Sequence, residues 1–63
     1  MKATITTDMS MLEYGIIEVA YWHNGQMVDF DIVTEVRTAS DIELIYGKAH
    51  LKWFGKAAAS ILN

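Results

Sequence analysis

The 63-residue chain predicts an α+β domain: a small two- or three-stranded antiparallel sheet with one short α-helix. Three observations predict it. Asn24-Gly25 separates two runs rich in Val, Ile and aromatic residues, the pattern of a β-hairpin closed by a type I′ turn, whose two central residues need positive φ. No Pro interrupts either run. Ser40-Asp41-Ile42-Glu43 reads as a capping box, with Ser40 as N-cap and Glu43 as its reciprocal partner.

Residues 1–63 form one domain at this length, and a chain so short buries a modest core. Hydrophobic residues make up 52% of it and Cys is absent, so disulfides cannot supply the missing stability. A surplus of apolar surface on a small body points to a homodimer. The absence of Cys fits a cytoplasmic protein, and no signal peptide or membrane span is expected. The net charge of −3 is unevenly divided. Residues 1–47 hold all eight acids and only Lys2 and Arg37 as bases, whereas residues 48–63 hold Lys48, Lys52 and Lys56 and no acid. An acidic body repels nucleic acid and attracts basic partners, which argues against direct DNA binding and allows binding to a DNA-binding protein.

In chain order, residues 1–13 read as a mobile start or an edge segment, with β propensity at Ala3–Thr7. The hairpin spans 14–35, with Gly15 as a bulge or end point. A two-residue loop at Asn24-Gly25 sets a register in which His23 faces Gln26, Trp22 faces Met27, Tyr21 faces Val28, Ala20 faces Asp29, Val19 faces Phe30, Glu18 faces Asp31 and Ile17 faces Ile32. One face then collects Tyr21, Val28, Val19, Phe30, Ile17 and Ile32 as a core. The other collects Glu18, Asp29, Asp31 and Glu35. Residues 40–47 read as a short helix ending at Gly47 as C′ residue, with Ile42, Ile45 and Tyr46 on one face. Residues 48–63 are ambiguous. His50–Trp53 alternates like a strand with Leu51 and Trp53 inward, yet Lys48, Lys52 and Lys56 recur every four residues and Ala57–Ala59 favours a second, C-terminal helix.

Catalytic chemistry has little support. Neither His23 nor His50 lies in a nucleophile motif, no ligand spacing suggests a metal, and no Gly-rich phosphate loop is present, so no cofactor is expected. Lys48, Lys52, Lys56, Trp53 and Phe54 form a basic aromatic cluster that suits either a membrane or nucleic-acid surface or a packed element with a solvated Lys stripe. The acidic hairpin face is the stronger candidate. Carboxylates at alternate strand positions lie about 6–7 Å apart, close to the spacing of phosphates along DNA, so such a row can occupy a groove built for a phosphate backbone.

The run Asp41-Ile42-Glu43-Leu44-Ile45-Tyr46-Gly47, following an acidic hairpin with a Gly turn, resembles the small dimeric uracil-DNA glycosylase inhibitors made by some phages. That resemblance implies a homodimer of small antiparallel sheets with one helix each. It implies a DNA mimic that blocks the DNA cleft of a host uracil-DNA glycosylase in the host cytoplasm, with an apolar cavity near the dimer seam that captures the enzyme's DNA-wedging leucine. It places Ile42 in the wall of that cavity, and Glu43 and Tyr46 in polar contact with the enzyme. It also favours a strand over His50–Phe54. The chain departs from the family in its aliphatic Ile42, where an aromatic is usual, and in its basic tail. The alternative reading is a small dimeric interaction or regulatory module whose target is another nucleic-acid enzyme or a transcription component.

Overall fold

The computed structural model describes residues 2–55, and Met1 and residues 56–63, including Lys56 and the Ala57–Ala59 run, lie outside the described residues. The elements are β1 (Ala3–Asp8), a 3-10 turn (Leu12–Tyr14), β2 (Ile17–His23), β3 (Gln26–Val33) and α1 (Ala39–Phe54). The strands form one antiparallel sheet in the order β1-β2-β3, with α1 on one face. The fold is α+β, as the hairpin and helix signals predict, and the opening segment supplies a third strand.

The hairpin tip follows its sequence. Asn24 and Gly25 both have positive φ, 52° and 82°, as a type I′ turn requires. Asn24 also ties β1 to the tip: its N–H donates to the Lys2 carbonyl at 2.8 Å, and its Oδ1 accepts from the Lys2 N–H at 2.8 Å. Gly15, at φ 75°, ends the 3-10 turn and aims the chain into β2. A Cβ there would stand 3.1 Å from the Val36 carbonyl oxygen, while the Val36 N–H donates to the Gly15 carbonyl at 2.9 Å.

The register departs from the unbroken hairpin after two pairs. His23 faces Gln26 and Trp22 faces Met27, but Tyr21 faces Asp29, Ala20 faces Phe30, Val19 faces Asp31, Glu18 faces Ile32 and Ile17 faces Val33. Val28 is the extra residue of a β-bulge. Because side chains alternate with period two, one extra residue turns the remainder of β3 over. Asp29, Asp31 and Val33 therefore share the helix-side face with the buried Ile17, Val19 and Tyr21, whereas Phe30 and Ile32 join Ala20 and Glu18 on the outer face. The expected single face of Glu18, Asp29, Asp31 and Glu35 does not exist. Glu18 lies on the opposite side of the sheet from Asp29 and Asp31, and Glu35 lies beyond β3 with a φ of 62°. Tyr14 belongs to the 3-10 turn and not to a strand.

The helix also differs from its expected form. Thr38, not Ser40, is the N-cap: its Oγ1 accepts from the Asp41 N–H at 3.2 Å. The reciprocal residue is Asp41, whose carboxylate accepts from the Thr38 N–H at 3.0 Å and the Arg37 N–H at 2.9 Å. Glu43 has no part in the box. The helix then runs through Gly47 to Phe54 and ends at Gly55, which has a φ of 69° and donates its N–H to the Leu51 carbonyl at 2.8 Å. No strand forms over 50–54, and there is one continuous helix instead of a short one followed by another element. The stripe Ile42, Ile45, Ala49 and Trp53 explains this, since burying it against the sheet outweighs the roughly 1 kcal/mol that a mid-helix glycine costs. Ile17, Val19, Tyr21, Val36, Ile45 and Ala49 form the buried core, with Ile5, Leu12, Val33, Ile42 and Trp53 packed around it.

Candidate partner-binding cleft

The helix leaves β3 incompletely covered. Between α1 and β3 lies an open cleft of about 420 Å³. Val19, Tyr21, Val33, Ile45 and Ala49 give it an apolar floor, Ile32 and Leu44 stand at its edges, and Asp31, Asp41, Lys48 and Lys52 bring charge to its walls. Leu44 and Ile32 are 60% and 61% exposed, so both offer apolar surface at the mouth.

The bulge and the helix phase build the charged end together. Lys52 Nζ lies 2.9 Å from Asp29 Oδ2 and 2.9 Å from Asp31 Oδ2. It also stands over the Tyr21 ring, 4.7 Å from its centroid, and the Tyr21 hydroxyl donates to Asp31 Oδ2 at 2.8 Å. Trp53 completes the packing, its ring 5.7 Å from that of Tyr21. The hydrogen bonds from Lys52 hold both carboxyls below the usual carboxylate range, and at Asp31 the Tyr21 hydroxyl adds to the effect. The same two carboxylates raise the Lys52 ammonium. Burial, reinforced by Asp31, pushes the Tyr21 phenol up to about 12.

Of the residues singled out from sequence, the structure brings together only Asp29 and Asp31. Glu18 faces outward beside Asp8, its neighbour on β1. Ile42 packs against the core and does not line the cleft. Tyr46 turns toward β1, its hydroxyl 3.4 Å from Thr7 Oγ1. Glu43 is exposed on the helix. The cleft instead draws Asp41, Leu44 and Ile45 from the Asp41–Gly47 run. Sequence reasoning missed Lys52 and Tyr21 as the centre of the charged cluster. The available signal was Lys52 itself, a cation between the packed Ala49 and Trp53 positions, which calls for carboxylates on the strand below.

Among the described residues, no group of three or more His, Asp or Glu side chains is placed to hold a metal ion, and no helix is long and apolar enough to cross a membrane. No family model matches the chain, and no curated protein and no solved structure is significantly similar to it.

Proposed function

We propose that this chain acts by binding another protein, as a homodimeric inhibitor of a host uracil-DNA glycosylase working in the host cytoplasm. The observation that carries the reading is the open apolar cleft between α1 and β3, with Asp41, Leu44 and Ile45 of the family-like run in its walls. A wedge side chain that an enzyme drives into DNA is apolar and exposed, and its neighbours are basic. The cleft offers such a residue an apolar floor of ample volume, and Asp41 and Asp31 lie beside it for the neighbouring bases.

A second reading has its own support. Asp29 and Asp31 share Lys52 as ion-pair partner, which leaves the cluster one net negative charge, and Glu18 lies on the other face, so one protomer assembles no row of free carboxylates at phosphate spacing. This favours an interaction module that recognises an apolar side chain on a different target, with no mimicry of a phosphate backbone.

The test is uracil excision from a single-stranded oligonucleotide by a bacterial uracil-DNA glycosylase, titrated with this protein and with its Leu44→Asp variant. The inhibitor reading expects excision to stop near stoichiometry and the variant to be at least about tenfold weaker, about 1.4 kcal/mol of binding. Leu44 is exposed, so the fold tolerates the change. Full excision at a large excess of the wild-type protein refutes the glycosylase as target and leaves the module reading.

A further inference from the structure

The outer face of the sheet lies away from the cleft except at Ile32, which stands on the β3 edge at the cleft's mouth, and it carries a cluster of exposed apolar side chains. Phe30 and Ile32 are 43% and 61% exposed, and Met27 is 51% exposed at the tip end. Ala20 and Trp22 lie beside them on β2, half-buried. With the neighbouring Val28, these side chains present roughly 400 Å² of apolar area, the size that marks an interaction site on a small protein. At its centre the indole is paired within the face, Trp22 Nε1 donating to Thr6 Oγ1 at 2.7 Å. Covering this face therefore leaves the indole donor paired.

We infer that a second copy of this chain covers this face, so that two sheets stack outer face to outer face about a two-fold axis crossing the strands. This deepens the homodimer part of the proposed function, does not depend on the glycosylase, and sets the seam on the side of the sheet away from α1, whereas the resemblance implies a cavity beside the seam. Three features select a second copy as occupant. First, charge sits only at the ends of the face: Asp8 and Glu18 at one, Lys2 at the head of β1 at the other. A two-fold axis across the strands lays the acidic end of one copy over the basic end of the other, whereas an axis along them stacks acid on acid. Second, a face three strands wide and about six residues long measures roughly 15 by 20 Å. Two such faces bury on the order of 600–800 Å² in total, below the roughly 1,000 Å² of a stable interface, so the dimer is a weak one that forms at high micromolar concentration. Third, the competing self-association, pairing of the open β3 edges, meets a barrier. In the antiparallel registers centred at Asp29, Phe30 or Asp31 that keep matching faces together, an Asp stands opposite another Asp, and opposed like charges destabilise a sheet. The exposed Leu44 and Leu51 of the helix are separated by Lys48 and make no comparable patch.

Sedimentation equilibrium tests this on the full chain at high micromolar concentration, where such a dimer is populated. The wild type is expected to approach twice its 7.1 kDa chain mass. Ile32→Lys is expected to weaken the dimer at least about tenfold, with an unchanged circular dichroism spectrum because the residue is exposed. Leu51→Lys, on the helix, is expected to leave the dimer intact. A wild-type dimer that survives Ile32→Lys, or is broken by Leu51→Lys, overturns the assignment of the face while the homodimer stands. A monomeric wild type overturns both, and neither result bears on inhibition of the glycosylase.

Discussion

Replacing Tyr21 by Phe isolates the charged end of the cleft. The ring is 1% exposed and stays in place against Trp53, so only the hydroxyl and its 2.8 Å hydrogen bond to Asp31 are lost. A hydrogen bond to a charged group contributes about 1.5–3 kcal/mol. Two facts lower that figure. Asp31 keeps Lys52 as a partner, and the side chains of both are about 40% exposed, 40% and 43%, so solvent screens the pair. The expected loss is about 1 kcal/mol near neutral pH, or a fall in Tm of roughly 5 °C for a domain of this size. A second consequence concerns pH. The folded phenol is raised to about 12 against an ordinary 10, so between these values the folded state holds a proton that the unfolded state has released. The stabilisation is full below pH 10 and is lost as pH rises toward 12. Lys52, also raised, titrates in the same direction in wild type and variant, so the difference between the two curves reports Tyr21. Urea unfolding of both proteins from pH 7 to 12 measures it. The stability gap should narrow above pH 10 as the wild type loses its advantage. A gap that is absent at pH 7, or that widens with rising pH, refutes the assigned hydrogen bond.

Thr38→Ala should cost about 1 kcal/mol by removing the side-chain half of the N-cap, whereas Ser40→Ala should cost only a few tenths; denaturant midpoints that rank them the other way restore the Ser40 box. Gly15→Ala should destabilise by about 1–2 kcal/mol, since φ is 75° and the new Cβ meets the Val36 carbonyl at 3.1 Å, and thermal unfolding reads it directly. Asp8, Asp29, Asp31 and Asp41 are all held below the ordinary carboxyl range, by the Ser10 N–H, by Lys52 and by the N–H groups of Arg37 and Thr38. Each stabilises the fold above about pH 4 and loses that effect as pH falls through its lowered value. Unfolding followed from pH 7 down to pH 2 should show a stability that falls through this acid range, and a midpoint unchanged from pH 5 to pH 2 contradicts the network.

The turn was legible because Asn24-Gly25 acts locally: two residues suffice to choose a type I′ turn. The faces beyond it were not, because register is inherited along a strand and a single extra residue at Val28 reverses the inheritance. Apolar periodicity reinforced the wrong choice. Val28, Phe30 and Ile32 look like a core stripe, yet on β3, a strand at the sheet edge under the rim of a single helix, they face outward. The carboxylates turn inward because Lys52 meets them there. Gly47 misled in a similar way. It looked like a stop, but the apolar positions Ile42, Ile45, Ala49 and Trp53 continue in phase across it, and their burial decides where the helix ends. Ser40-Asp41-Ile42-Glu43 fits the pattern of a box, but the helix starts two residues earlier, where Asp41 closes the box on Thr38 and also accepts from the Arg37 N–H. The cleft itself was not legible, since it arises from the part of the sheet that one helix fails to cover.

The bulge gives this hairpin the arithmetic of a reading frame. Counting from the tip, odd and even positions of β3 exchange faces at Val28, as codons do past an inserted base. Deleting Val28 restores the pleat while keeping all the other observed partners, Tyr21 with Asp29 and Ile17 with Val33 among them. Removing a residue further along β3 also lets the bulge close and keeps the pairs beyond the cut, but it puts the residues between Val28 and the cut on the wrong faces. A deletion scan of residues 27 to 32 is thus expected to be mildest at Val28 and more disruptive with distance from it along β3, and insertions and deletions at this tip are under different constraints from substitutions at the same sites.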